Sequence, residues 1–167
     1  MFCVSLMALM GSCSVNYKPQ LPLIEPHMIM QLEFDDPLSL INAQTSAADT
    51  SIKLRSGYTL IVNYREYTHL IIQKIKEELE KRGKPLVANA DKTLGIAVIG
   101  VDMITFAGGQ DCQINLTVNT GGKNLFGMEA TAQSMSYKKA INYALVEAAI
   151  QILNDRRVHE YLKSSHP

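Results

Sequence analysis

The alternation of residue types over residues 112–119 constrains the fold more than any other feature of the chain. Apolar residues take every second position, and amide or hydroxyl residues fill the positions between them. The apolar set is Cys112, Ile114, Leu116 and Val118, and the polar set is Gln113, Asn115, Thr117 and Asn119. A period of two is that of a β-strand with one apolar and one polar face. Such a strand must bury its apolar face against another layer of structure.

The segments beside this strand predict a three-strand meander over residues 93–133. Residues 94–106 are apolar at both odd and even positions, which predicts a central strand covered on both faces and bent at Gly100. Gly121 and Gly122 can supply the positive φ angles of a tight hairpin turn, so residues 125–133 are predicted to form the third strand.

Further strands are predicted before the meander. Residues 28–34 are predicted to form a strand that places Met28, Met30, Leu32 and Phe34 on one face. Residues 38–50 are ambiguous between a surface loop and a loosely packed excursion. Residues 51–64 are predicted to form a hairpin that turns at Ser56 and Gly57.

Two helical patterns can supply the second layer. Thr68 is predicted to cap a helix that runs to about Arg82 and stops at Gly83. Ser136 is predicted to cap a longer helix that runs from Tyr137 to about Lys163. The sequence therefore predicts a single α+β domain over residues 28–167. Its expected architecture is a two-layer sandwich, in which two helices cover one face of a mostly antiparallel sheet containing the meander.

The first thirteen residues predict a bacterial lipoprotein signal. They are mostly apolar and end in Gly11 and Ser12 before Cys13, which resembles a lipobox. Residues 1–12 would be removed, and Cys13 would be the lipid attachment site. Signal peptides begin with positive charge, whereas the first basic residue here is Lys18, so a buried N-terminal strand or helix stays as the alternative.

Residues 13–27 are predicted to be a tether, because they contain three prolines and few other structural signals. Ser14 directly after the cysteine resembles the pattern that sorts lipoproteins to the outer membrane. The expected location is therefore the outer membrane, with the domain anchored by lipid and facing the periplasm.

Composition argues against several function classes. The chain has 16 basic and 16 acidic residues and no Trp, so we expect no nucleic-acid partner. The four histidines show no metal-ligand spacing, and no cofactor is expected. His69 and Cys112 are a weak candidate for a nucleophile pair, because Cys112 lies on an apolar strand face. We therefore expect no catalytic residues and no enzyme activity.

The polar face of the meander is the candidate partner surface. Its residues lie on the second and third predicted strands: Gln113, Asn115, Thr117, Asn119, Glu129, Thr131 and Gln133. One interpretation is a solvated sheet face, which is common in antiparallel sheets. The other is a surface, or an exposed strand edge, that binds a partner.

Taken together, the lipobox, the proline-containing tether, the element order and the ending from Val158 to Lys163 resemble the YajG-like bacterial lipoproteins. The best local match is the helix end from Glu77 to Gly83, and the likeness covers roughly residues 28–163. The element order is also similar to that of the LPS-assembly lipoprotein and of the auxiliary lipoproteins of ABC lipid transporters.

This resemblance implies an outer-membrane-anchored periplasmic domain without an established enzymatic role. The expected function is that of a binding or assembly accessory, which contacts an envelope protein complex or a lipid-linked ligand. Alternatives are a structural subunit of a multi-protein envelope complex, for secretion or transport, and an envelope hydrolase or transferase.

Overall fold

The structure is a computed structural model that describes residues 14–54, 57–122 and 124–164. Within these ranges the strands are β1 (Ser14–Asn16), β2 (Leu38–Asn42), β3 (Asp49–Lys53), β4 (Thr59–Asn63), β5 (Lys92–Phe106), β6 (Gly109–Thr120) and β7 (Asn124–Ser134). The helices are α1 (Tyr64–Lys81), α2 (Tyr137–Asn154) and α3 (Arg156–Lys163), and a 3₁₀ turn covers Pro26–Met28.

The main sheet has the strand order β2-β5-β6-β7. The predicted meander of β5, β6 and β7 is antiparallel throughout, and β2 joins it in parallel to β5. Helix α1 packs on β2 and β5, while α2 packs on β6 and β7. The α+β prediction is therefore confirmed, with the helices on one face of the sheet.

A second, smaller sheet has the order β1-β4-β3. Its antiparallel pair, β3 and β4, is the hairpin predicted for residues 51–64, and Gly57 in the connection has a φ of 84°. Strand β1 adds to the other side of β4 in parallel. This sheet therefore connects the first described residues to the body of the domain.

The core lies between the main sheet and the helices. The apolar residues of β6 are buried as the alternation predicts, with Cys112, Ile114 and Val118 fully inaccessible to solvent. Ala140, Ala144 and Ala148 of α2 are also fully buried. Small side chains at a spacing of four residues allow the helix backbone to lie close to the sheet.

A β-bulge changes the side-chain phase of β5. The register with β6 shifts between Val98 and Gly100, which makes Ile99 the extra residue. Val98 is buried before the bulge and Val101 after it, whereas Ile99 and Ile104 are 56% and 54% exposed. The prediction of a strand covered on both faces therefore holds for residues 94–98, which are all buried, and is wrong from Ile99 onward. One inserted residue moves the apolar positions from even to odd numbers while they stay on the same face.

The predicted strand over residues 28–34 is also wrong. The segment leaves the 3₁₀ turn as irregular chain, with Ile29 buried and Met30 54% exposed. Its backbone bonds to a side chain instead of a strand: Met30 N donates to Asn154 Oδ1 at 2.8 Å, and Asn154 Nδ2 donates to Met28 O at 2.8 Å. The ambiguous segment that follows contains β2, in which Leu38 is 1% exposed.

Residues 17–36 form a strap across both long helices. At its start, the Tyr17 hydroxyl donates to Asn142 Oδ1 of α2 at 2.7 Å. Further along, Arg82 Nη2 donates to Pro26 O at 3.1 Å. The Asn154 contacts then hold the strap at the end of α2. This strap includes most of the segment predicted to be a tether, and Ile24 within it is only 4% exposed.

Both helix predictions need corrected bounds. Helix α1 begins four residues before Thr68, because Asn63 is the cap and its side chain accepts a hydrogen bond from Glu66 N at 3.0 Å. The predicted long helix is divided at Asp155, which has extended backbone angles. The Asp155 carboxylate accepts from Arg157 N at 2.8 Å, so the residue ends α2 and caps α3.

Candidate functional site

The structure places the predicted partner surface on the outer face of the main sheet, which is the face turned away from the helices. Gln113 pairs with Thr131, Asn115 pairs with Glu129, and Gln133 pairs with Asp111. The β7 residues of the set are exposed, and the β6 residues are partly buried by the neighbouring strands. The predicted residues therefore lie together on two adjacent strands.

Glycines on both neighbouring strands border the β6 row, although Ala43 lies against Gly95, where an added Cβ would be 3.6 Å from the Ala43 Cβ. Gly95 of β5 lies opposite Asn119, and Gly100 lies opposite Asn115. Gly127 of β7 lies on the other side, and a side chain added there would have nothing within 4 Å. We call the row of Asn115, Thr117 and Asn119 with its glycine borders the amide trough.

The amide trough was missed in the sequence, although its signal was present. Gly95, Ala97, Gly100 and Gly127 occur inside predicted strands, where glycine normally weakens pairing. Isolated glycines in strands mark bulges or places where another chain approaches closely. Gly100 here belongs to the bulge, whereas Gly95 and Gly127 border the trough.

Two oxygen atoms on the outer face have no hydrogen-bond partner among the described residues. They are Asn119 Oδ1 and Asp111 Oδ1, and both are shielded from solvent. An unsatisfied buried acceptor costs about 1–3 kcal/mol. The Asn115 amide, in contrast, donates to Asp102 Oδ2 at 3.4 Å.

Strand β7 has an unpaired edge beside the trough. Its 11 residues pair with β6 on one side, and no described strand pairs with the other side. The edge begins next to Leu125, which is 68% exposed. A long edge strand presents backbone N–H and C=O groups to any extended segment that approaches it.

The two residues considered as a nucleophile pair, His69 and Cys112, differ in their exposure to solvent. Cys112 is a free cysteine with no exposed surface, whereas His69 is exposed on α1. Burial raises the pKa of Cys112 to about 12, and the charges of Asp111 and Asp102 act in the same direction. The thiol is therefore neutral at physiological pH, and a neutral thiol is a poor nucleophile.

A separate cavity of about 350 Å³ lies where the strap meets β5 and is lined in part by Asp36, Asn89 and Lys92. The Lys92 side chain is 4% exposed. It donates to Asp36 Oδ2 at 2.6 Å and to Leu162 O at 2.7 Å. This buried charge is already paired, and its partners join the strap, β5 and α3.

Within residues 14–54, 57–122 and 124–164, no three metal-ligating side chains lie close enough together to hold an ion. None of the helices in these ranges is long and apolar enough to cross a membrane. The predicted lipid site, Cys13, lies just outside the described residues.

The comparisons with known proteins bear on the fold alone. No family model matches the chain, and no curated protein matches its sequence. Among solved structures, the chain is similar to protein XCC0632 from Xanthomonas campestris, a DUF330 protein, with a TM-score of 0.57 and 13% identity. That match covers 84% of this chain and 93% of XCC0632. The hypothetical protein CT253 from Chlamydia trachomatis matches with a TM-score of 0.42 and 8% identity, over 77% of this chain and 93% of that one.

Proposed function

We propose that the protein is a lipid-anchored accessory of the bacterial envelope that binds a partner through the outer face of its main sheet. It would be attached to the outer membrane through Cys13 and face the periplasm, as in the YajG-like lipoproteins that it resembles. The observation that carries the binding role is the amide trough beside the unpaired edge of β7.

The proposed anchor rests on the sequence. The small residues before Cys13 fit the recognition pattern for lipoprotein processing. Acyl chains on this cysteine would hold the protein firmly, since each buried CH₂ contributes about 0.8 kcal/mol. Residue 14 already begins β1, so the anchor would connect directly to the folded domain.

The chemistry of the trough suits an extended segment of an envelope protein. Asn and Thr side chains both donate and accept hydrogen bonds, so they can pair with backbone groups of varied sequence. The β7 edge offers further backbone bonds, while the glycine borders let a chain approach the sheet closely. The proposed activity is therefore assembly or binding, without chemical change of the partner.

The anchor is tested by expressing the full-length gene in a Gram-negative host with a labelled fatty-acid analogue. We expect wild type to carry the label in the outer-membrane fraction and Cys13→Ala to carry none. A wild-type protein that stays unlabelled, soluble and intact over residues 1–13 would disprove the proposed anchor and location together.

The binding face is tested by photo-crosslinking in the same cells. A photoreactive residue at Thr131, on the outer face, is compared with one at Lys76, on the exposed side of α1. We expect a specific partner band from position 131 only. Equal bands from both positions, or none from position 131, would argue against the outer face as the binding surface.

Gly127 allows the trough to be blocked without disturbing the fold. The position is open and its φ is not positive, so Gly127→Ala and Gly127→Tyr should both fold normally. The tyrosine would cover one border of the trough, and the alanine would leave it open. We expect the 131 crosslink to be lost with tyrosine and retained with alanine.

A partner that co-purifies stably would favour the structural-subunit alternative over a transient binder.

A further inference from the structure

An apolar cluster projects from the end of the main sheet where β5 turns into β6. It consists of Ile104, Phe106 and Ala107 from the hairpin and Met135 from the end of β7, and we call it the hairpin tip. Met135 is 84% exposed, Ile104 is 54% exposed and Phe106 is 42% exposed. The two parts lie together, since a Cβ on Gly109 would be 3.4 Å from the Met135 Cα.

Exposed lysines lie on one side of this apolar surface, whereas exposed Asp102 lies two residues before Ile104 on β5. Lys138 and Lys139 are exposed in the first turn of α2, directly after the hairpin tip, and Lys18 is exposed on the strap. The Lys138 ammonium lies 5.7 Å from the centre of the Tyr17 ring, which joins the strap to the helix start. The nearest acidic residue in register is Asp111, which pairs with Ile104 across the strands.

The first described residues lie at the same end of the molecule. Tyr17 packs edge-on against Tyr137, with 6.2 Å between the ring centres, and Tyr137 is two residues from Met135. Ser14 is three residues before Tyr17, so at most about 11 Å of chain separates them. Ser14 itself pairs with Thr59 of β4. A lipid on Cys13 would therefore start within about 15 Å of chain from Tyr17.

We propose that the hairpin tip and its lysines are a membrane-contact surface that rests on an anionic lipid bilayer beside the lipid anchor. This inference depends on the anchor at Cys13 proposed above. A bilayer is the fitting occupant because exposed apolar side chains and exposed lysines lie at the same end as Tyr17, which is four residues after the proposed anchor. The domain would then sit directly on the membrane, and the part of its outer sheet face beyond the hairpin tip would be open to a partner.

The absence of tryptophan from the sequence allows a direct test. Met135→Trp and Leu125→Trp each introduce one fluorophore at an exposed apolar position, at opposite ends of β7. Ten residues of strand separate the two sites by about 33 Å. Acylated full-length protein is reconstituted into vesicles of phosphatidylethanolamine and phosphatidylglycerol whose acyl chains carry bromine, which quenches tryptophan on contact.

We expect quenching of about twofold or more for Trp at 135 and little change for Trp at 125, because only the first would enter the interfacial region. Removing phosphatidylglycerol, or combining Met135→Trp with Lys138→Gln and Lys139→Gln, should reduce the quenching. No quenching at 135, or equal quenching at both sites, would overturn the membrane-contact surface. Quenching at 135 that is unchanged both without phosphatidylglycerol and with the two lysine substitutions would overturn the proposed preference for anionic lipid.

The two proposals fail in different ways. Loss of the anchor would appear as protein without acyl label that does not enter the membrane fraction at all. Failure of the membrane-contact surface would appear as labelled, vesicle-bound protein whose Trp at 135 stays exposed to water. The labelling gel is therefore run on every reconstituted sample.

Discussion

Thr68 joins α1 to the main sheet through one hydroxyl group. Its Oγ1 donates to Tyr64 O in the preceding turn at 2.8 Å and accepts from Val98 N of β5 at 2.9 Å. Val98 is the residue before the bulge, where β2 has already ended and no longer pairs with β5. A fully buried threonine thus satisfies a backbone group that the sheet leaves without a strand partner.

Thr68→Val should therefore destabilise the protein although it conserves side-chain shape. The buried Val98 N–H would lose its acceptor, so we expect the free energy of unfolding to fall by about 1–3 kcal/mol. Urea denaturation measures this change. Thr131→Val on exposed β7 is the matched control and should stay within about 0.5 kcal/mol of wild type. Equal stabilities of the two variants would show that the Thr68 bond contributes little.

The burial of single residues could be predicted where it depends on the neighbouring residues in the sequence. The burial of Cys112 followed directly from alternation along β6. Thr68 was predicted to be a helix cap because it is a good capping residue, but Asn63 has the same chemistry and holds the role. The contact that fixes Thr68 comes from Val98, which is 30 residues away. No local pattern reports such a partner.

At the scale of elements, single-residue interruptions of a strand and of a helix determine how these elements pack together. The bulge at Ile99 keeps one face of β5 in the core, and the extended residue Asp155 lets α3 turn away from α2. Arg157 then stacks over Phe126 of β7, with its guanidinium carbon 3.6 Å from the ring centre. Hydrophobic periodicity did not predict the bulge at Ile99 or the helix end at Asp155. Each is a single residue that interrupts a regular element without changing the apolar pattern on either side enough to be seen.

Asp155 should make stability depend on pH. The side-chain hydrogen bonds from Arg157 hold the pKa of Asp155 below its usual range. A carboxylate with a lower pKa in the folded chain stabilises the fold above its unfolded pKa of about 3.9, and this stabilisation is lost as the pH falls through the folded pKa.

Asp155→Asn keeps a capping side chain but removes the charge. We expect the variant to be less stable than wild type by roughly 0.5 kcal/mol at neutral pH, the size of a partly exposed ion pair. That difference should shrink as the pH falls below about 4. Arg156→Gln removes an exposed neighbouring charge and is the control, which should keep the wild-type pH dependence. A constant deficit for Asp155→Asn at all pH values would contradict the assignment.

Gly109 should be the least replaceable turn residue of the meander. It has a φ of 153°, and a Cβ there would lie 2.5 Å from Ser134 O of the neighbouring strand. We expect Gly109→Ala to reduce the free energy of unfolding by more than about 2 kcal/mol. Gly122→Ala, with a φ of 72° and open space around it, should cost only about 1 kcal/mol. A smaller loss at 109 than at 122 would contradict the close strand approach.

At the scale of the whole molecule, the strap holds the N-terminal segment against the last third of the chain. Asn154 is its clamp, because one amide side chain bonds to both Met30 N and Met28 O. Prolines and low periodicity before residue 28 indicated a segment without regular structure, whereas the alternation over residues 28–34 wrongly indicated a strand. Neither pattern could indicate docking on α2, since the partners there are more than 120 residues away.

Asn154→Ala should loosen the strap while the sheet stays intact. The variant loses two hydrogen bonds, which together contribute about 1–3 kcal/mol. We expect the Met30 amide to exchange its hydrogen much faster, while amides in the centre of β6 keep their protection. Asn124→Ala at the exposed start of β7 is the control and should leave the Met30 amide slow. Faster exchange throughout the protein would indicate general destabilisation rather than release of the strap.

The docked strap also sets an order of events during synthesis. Tyr17 leaves the ribosome early, but its partner Asn142 is made 125 residues later. Local helices and hairpins form quickly, whereas contacts so distant in sequence must wait for the chain and for slow loop closure. The strap therefore cannot dock on α2 until α2 itself has been made. Under the proposed lipidation, Cys13 would be available for modification before this docking is complete.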